Sequence, residues 1–211
     1  RSLYTRVISF NPRYGVSLIG QEAFTADLDE VAFLGAMDAM IYNQKACNAS
    51  QVHYVEGNLE QANAYARRLS AILAQWDALA PQLVPPAVRG QLKRLRRGKY
   101  SRAEWLLNQP EGEFASGVVV IPEEFDILDH PMCRLVVVRP MPRLEDALQY
   151  LHAGVSMVGV YPETRREALI DAIATRGVSS IYPLGQCERV FPGFPQDGMF
   201  VLSELVDWKN G

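Results

Sequence analysis

Short, unbroken apolar runs alternating with helix-patterned segments constrain this chain more than any other feature. Residues 118–121 and 135–138 contain only valine, isoleucine and leucine. A strand with no polar face must be covered on both sides, which calls for helices above and below a sheet. Farther along, residues 144–151 read as helix, 155–160 as strand, 165–175 as helix and 178–182 as strand. Strands and helices alternating at these lengths favour βαβ units. The expected fold class is therefore α/β, a mainly parallel sheet flanked by helices.

The first half fits the same scheme with one interruption. Residues 7–10 are expected to be a short strand, followed by a turn at Pro12 and Gly15. Asp27, with Glu30 three residues on, opens a helix in which Val31, Leu34, Met37, Met40 and Ile41 recur at helical spacing. Residues 52–55 form the next expected strand, ended by Gly57. Asn58 and Gln61 then start a helix with Leu59, Ala62, Ala66, Leu69, Leu73, Trp76 and Ala80 on one face, a core contact, closed by Pro81, Pro85 and Pro86. Residues 58–113 are read as a helical insertion, and the Pro- and Gly-rich stretch 184–198 as an ordered surface loop.

Cys47 lies in the turn between the Asp27 helix and the following strand. A thiol there rests on backbone held from both sides, as a nucleophile meeting a carbonyl at fixed distance requires, with backbone N–H groups near enough to serve an oxyanion. The bland alternative is a small buried hydrophobe, the usual state of a free cysteine. That reading is preferred for Cys133 and Cys187, and the same caution applies to His130 and His152.

Composition narrows the function classes. The 211 residues are 48% hydrophobic and 21% charged, with a formal net charge of −3, which argues against a general nucleic-acid binder. No apolar run reaches membrane-spanning length, and residues 1–6 do not introduce a signal peptide. Three widely spaced cysteines make no disulfide framework, so a reducing cytoplasm is expected. No Cys or His pair has metal-site spacing, and no metal is expected. Arg89, Lys93, Arg94, Arg96, Arg97, Lys99 and Arg102 form a basic cluster. It could meet the phosphates of coenzyme A or an acidic carrier protein, or be a solvated face. Leu92, Leu95, Trp105 and Leu106 within it suggest a packed amphipathic helix.

The run Gln44-Lys45-Ala46-Cys47-Asn48-Ala49-Ser50-Gln51 resembles the nucleophile segment of the aldehyde dehydrogenase superfamily. It is most similar to the acyl-CoA reductase branch that includes the fatty-acid reductase of bacterial luminescence. Cys-Asn-Ala also resembles the corresponding segment of glutamyl-phosphate reductases. Ile8-Ser9-Phe10-Asn11-Pro12-Arg13-Tyr14-Gly15, Ser17-Leu18-Ile19-Gly20, Pro183-Leu184-Gly185, Asp197-Gly198-Met199 and Glu204-Leu205-Val206-Asp207-Trp208 are similar to further segments of that branch. The resemblance implies an aldehyde-dehydrogenase-like catalytic domain over 1–211, belonging to a longer reductase whose cofactor-binding domain lies outside this chain. It implies Cys47 as catalytic nucleophile and Asn48 as substrate-binding. Glu124 and Phe125 would touch the cofactor, taken as NADPH and held mostly by the other domain. Glu22 is the acid nearest the segment where oxidising members keep a base, and its spacing to Cys47 is too short, which favours reduction. The implied reaction takes an acyl-CoA or acyl carrier protein thioester to an aldehyde, in an enzyme able to oligomerise. An aldehyde dehydrogenase, an acyl-phosphate reductase or a non-enzymatic carrier-docking module are the alternatives.

Overall fold

The computed structural model describes residues 7–189 and 191–206. The closing-motif residues Asp207 and Trp208 lie outside the described residues.

Seven strands make one sheet: β1 (Tyr14–Ile19), β2 (Ser50–Glu56), β3 (Glu104–Asn108), β4 (Ser116–Val120), β5 (Leu135–Met141), β6 (Val155–Tyr161) and β7 (Ser180–Pro183). Their spatial order is β3-β4-β5-β2-β1-β6-β7. All neighbours are parallel except the edge pair β3–β4. The helices are α1 (Leu28–Met40), α2 (Leu59–Leu79), α3 (Pro86–Arg97), α4 (Glu163–Ala174) and a short α5 (Val201–Glu204).

Side chains alternate across the sheet as the two-residue period demands. Ile19, Val55, Val118, Val120, Val136 and Val138 pack against α1 and α2. Their neighbours Leu18, Tyr54, Val119 and Val137 face the opposite layer, made by α3, α4 and the 3₁₀ segment Leu144–Tyr150. The apolar valine runs are therefore strands covered on both sides, as expected.

Helix starts are set locally. The Asp27 carboxylate accepts from the N–H groups of Asp29 and Glu30 at 3.0 and 3.3 Å. Asn58 and Gln61 exchange reciprocal capping bonds at 2.9 and 3.0 Å. Pro86 occupies the first turn of α3, where its missing N–H costs nothing.

Five expectations are corrected. Residues 7–10 form no strand, and Val7 and Phe10 are exposed. The first strand is Tyr14–Ile19, an inner strand between β2 and β6, where five consecutive residues are buried. The 58–113 stretch contains the edge strand β3 as well as α2 and α3. Trp105 and Leu106 lie on β3, so of the four expected residues Leu92 and Leu95 anchor the basic helix. Residues 144–150 wind as a 3₁₀ segment. The last strand runs Ser180–Pro183, two residues later than its apolar pattern begins.

Candidate active site

The Cys47 turn stands on strained backbone braced from below. Past α1, Tyr42, Asn43 and Gln44 take φ values of 46°, 56° and 63°. Left-handed conformations in non-glycine residues cost roughly 1–3 kcal/mol each and persist only where surrounding contacts hold them. A second such triplet, Met132, Cys133 and Arg134, precedes β5 with φ of 61°, 57° and 59°.

The two triplets are fastened to each other. Arg134 Nε donates to Asn43 Oδ1 at 2.8 Å, and its Nη1 to Asp77 Oδ1 on α2 at 2.8 Å. The Ser116 hydroxyl also donates to Asp77. Gln44, fully buried, donates through Nε2 to the carbonyls of Ser50 at 3.1 Å and Leu135 at 2.7 Å. The chain thus leaves α1, is pinned to β5, and enters β2 along one defined path.

Within that path, Ala49 N donates to Ala46 O at 3.1 Å, so Cys47 and Asn48 occupy the two central positions of a tight turn. Their own N–H groups have no acceptor among the described residues. Gly15 of β1 seats the turn, donating to Ala49 O at 2.9 Å. A Cβ on Gly15 would come within 2.7 Å of Asn48 O, so no other residue allows this approach.

A second brace comes from Asp38, on the inner face of α1. Its carboxylate accepts from Cys187 N at 3.0 Å and Gly185 N at 2.9 Å. The Cys187 carbonyl in turn accepts from Asn48 Nδ2 at 2.7 Å. Asn48, expected to bind substrate, has its amide nitrogen committed to this structural bond. β6 makes room with Gly159, where a Cβ would meet Asp38 Oδ2 at 2.5 Å.

Burial raises the Asp38 carboxyl to about 6, against the lowering effect of the Cys187 and Gly185 N–H groups. A carboxyl whose pKa is raised on folding binds its proton more tightly in the folded state. Stability from this group is therefore fully present below pH ~4 and declines as pH rises through about 6. Relative to Asp38→Asn, the wild type should lose on the order of 2 to 3 kcal/mol across that window, then level off. Urea unfolding of both proteins between pH 4 and 7 checks this; parallel curves would remove Asp38 as the titrating group.

Cys47 is the half-exposed cysteine, whereas Cys133 and Cys187 are buried. Burial pushes both buried thiols up, Cys187 the further because the Asp38 charge adds to the effect. Cys47 opens into a cleft of 460 Å³, walled by Met157 and Tyr182 of the sheet and by Arg189, Phe194 and Pro195 of the closing stretch. That stretch is tied down through Asp197, which pairs with Arg13 at 3.8 Å. Expected as a surface loop, it is one wall of the cleft.

Glu124 and Phe125 lie elsewhere. They line a separate cleft of 580 Å³ with Tyr14, Val52, Tyr54 and Lys99. Phe125 packs on Tyr100 with ring centroids 5.3 Å apart, while Glu124 is exposed. The two clefts are separated by the start of β1: Tyr14 lines one, and the adjoining Gly15 seats the turn of the other. Glu22 sits past the far end of β1, about 17 Å from its start at strand rise. It is held there by Arg165 at 2.8 Å.

The histidines are structural in their contacts. His130 is buried, accepts from Met132 N at 3.0 Å and is pushed down to about 4 by burial. His152 is exposed and meets the Tyr14 hydroxyl at 3.1 Å. Among the described residues no cluster of His, Cys, Asp and Glu could hold a metal, and no helix is long and apolar enough to cross a membrane.

Sequence reasoning missed Asp38, Gln44 and Arg134 as supports. Asp38 was marked by being an acid four residues after Leu34 and seven after Val31 on an apolar helix face. Arg134, three residues after Pro131 and next to an apolar run, carried no such mark.

The profile of the family described as Acyl-CoA reductase (LuxC) matches residues 2–208. The chain is 24% identical over 210 residues to the long-chain acyl-protein thioester reductase of Vibrio harveyi, covering 95% of this chain and 41% of that protein. Among solved structures, it superposes on the NADP-dependent glyceraldehyde-3-phosphate dehydrogenase of Bacillus halodurans C-125 complexed with NADP, with TM-score 0.69. That match has 12% identity and covers 92% of this chain and 44% of the other. The aldehyde dehydrogenase KauB of Pseudomonas aeruginosa gives TM-score 0.62 at 12% identity, over 86% of this chain and 40% of the other. The chain spans less than half the length of these relatives. The fold is that of part of an aldehyde dehydrogenase, and the chain belongs to the acyl-CoA reductase (LuxC) family.

Proposed function

We propose that this chain is the nucleophile-bearing part of a reductase that converts an acyl thioester to an aldehyde through a covalent intermediate on Cys47. The observation that carries this reading is the state of Cys47: half-exposed, central in a braced turn, and open to a cleft, while the other two cysteines are buried. The Cys47 thiolate attacks the acyl carbonyl carbon, forms a C–S bond and expels the carrier thiolate, which takes a proton from solvent. The unengaged N–H groups of Cys47 and Asn48 are available to the oxyanion of that step. Arg189 supplies positive charge to the same cleft.

The cofactor we assign is NADPH, held mostly by a portion of the full protein outside these 211 residues. The residues here fit a part of it: Glu124 makes no ion pair among the described residues and can accept ribose hydroxyls, beside the aromatic wall of Phe125 and Tyr54. Bound NADPH would supply the hydride that takes the Cys47 thioester to the oxidation level of an aldehyde. Among the described residues no carboxylate free of an ion pair lines the Cys47 cleft to activate water, which favours release of aldehyde over hydrolysis. Asp197, the carboxylate that lines the Cys47 cleft, is engaged by Arg13.

The test is intact-protein mass after incubation with a panel of acyl-CoAs, on this chain and on the full-length reductase. An acyl adduct on wild type and none on Cys47→Ala is expected. An unmodified full-length protein would overturn the acyl-enzyme mechanism.

A further inference from the structure

We propose that the basic face of α3 docks the acidic surface of a protein that carries the acyl group as a thioester. The inference deepens the reductase reading and rests on it for the nature of the cargo.

The charge distribution is the first observation. The chain as a whole is net negative, at −3. Yet Lys93, Arg94, Arg96, Arg97 and Arg102 crowd one exposed stretch. Among the described residues none of these five makes an ion pair, although the flanking Arg89 and Lys99 pair with Glu113 and Asp129 at 2.8 and 2.9 Å. The carbonyl end of α3 favours cations at Arg94, Arg96 and Arg97, but Lys93 and Arg102 lie outside that last turn. Like charges packed this closely repel one another, so the fold gains nothing from so many of them.

The shape of the face is the second observation. A groove of 420 Å³ runs between α3 and the β3–β4 connection. The buried residues Leu92 and Phe114, with Leu107, form its floor; Arg89, Lys93 and Arg96 line one side of its rim, and Gln109 and Glu113, the latter paired with Arg89, the other. A neighbouring hollow of 320 Å³ is lined, among the described residues, by Lys93, Arg96 and Arg97. An apolar floor flanked by Lys93 and Arg96 complements an acidic segment presenting an apolar side chain. The twelve residues of α3 extend about 18 Å, too long a spread for one phosphate group, which needs convergent donors.

Placement relative to the site is the third. Lys99, just past α3, lines the same cleft as Phe125 and Val52. Val52 lies on β2, directly after the Cys47 turn. A carrier seated on α3 thus borders the cleft assigned above to the cofactor, which the start of β1 separates from the Cys47 cleft.

The test uses the full-length reductase as wild type, as K93E/R96E/R97E and as the neutral K93Q/R96Q/R97Q. Two quantities are measured at low and high salt: binding of fluorescently labelled acyl carrier protein, and kcat/KM with the same acyl group on that carrier or on coenzyme A. Charge reversal should weaken carrier binding and carrier-dependent kcat/KM by about tenfold or more, with the neutral variant intermediate. The kcat/KM for acyl-CoA should stay within about twofold, since none of the three residues touches the Cys47 cleft. A wild type that does not bind the carrier, or a reversal variant that binds it as well as wild type does, overturns the proposal. A parallel fall with acyl-CoA also overturns it, and assigns the patch to the phosphates of coenzyme A or to folding. Charge-dependent carrier binding without reduction of either substrate would keep the docking surface and remove the reductase reading.

Discussion

In the full-length reductase, Cys47→Ala is expected to lower aldehyde formation by on the order of 10⁴-fold or more, with little change in thermal stability. The size follows from the mechanism: without the thiol there is no covalent intermediate, and the remaining turn can only bind the substrate. The small stability effect follows from position. The side chain is partly exposed, and the contacts that hold the turn run through Gln44, Asn48 and Gly15. Stopped-flow reduction together with a melting curve measures both quantities. Comparable activity in the variant would place the nucleophile elsewhere or remove the covalent step. Loss of activity together with a large drop in Tm would instead make Cys47 a packing residue.

Arg134→Met should give the largest loss of stability. The ion pair with Asp77 is buried, each side chain being 5% exposed, and its removal leaves an uncompensated carboxylate in the interior. Breaking one partner of such a pair costs about 3–5 kcal/mol. For a chain of this size that corresponds to a fall in Tm of roughly 10 °C. Replacing both partners, as Arg134→Met with Asp77→Leu, should recover most of the stability, because the stranded charge is gone. It should not recover reactivity at Cys47, because the bond from Arg134 to Asn43 that fixes the left-handed segment is still missing. Thermal melts and the rate of Cys47 alkylation in the single and double variants separate the two roles. Restoration of both by the double variant would mean that the Asn43 contact is dispensable.

Several features were readable from the residues. The valine runs of β4 and β5 admitted only one environment, covered on both faces, and that dictated a sheet between helices. Asp27 and the Asn58–Gln61 pair marked their helix starts because capping is satisfied within four residues. The position of Cys47 between α1 and β2 could be read for the same reason: a turn between two well-patterned elements is local. The inner strand β1 was missed because Tyr14–Ile19 carries a glycine and a serine, Gly15 and Ser17, which interrupt its apolar pattern. Both serve long-range contacts, Gly15 with the Cys47 turn and Ser17 with Ser50 at 2.8 Å. β3 was hidden in a stretch dominated by the charges of α3, and it is a strand because β4 offers it an edge.

By itself, then, the sequence determined what depends on neighbours along the chain: the alternation of strand and helix, the caps, and a thiol held in a turn. Tertiary structure decided what depends on residues far apart. It joined Asn43 to Arg134 across 91 positions and Asp38 to Cys187 across 149, so that strained backbone under the nucleophile is held in place. It put Cys47 and the pair Glu124 and Phe125 in different clefts, and it made Arg189 and the 194–197 stretch a wall of the first. The physical reason is one of range. Propensity and capping act within a few residues, whereas a buried hydrogen bond between distant groups forms only once packing has excluded water from both.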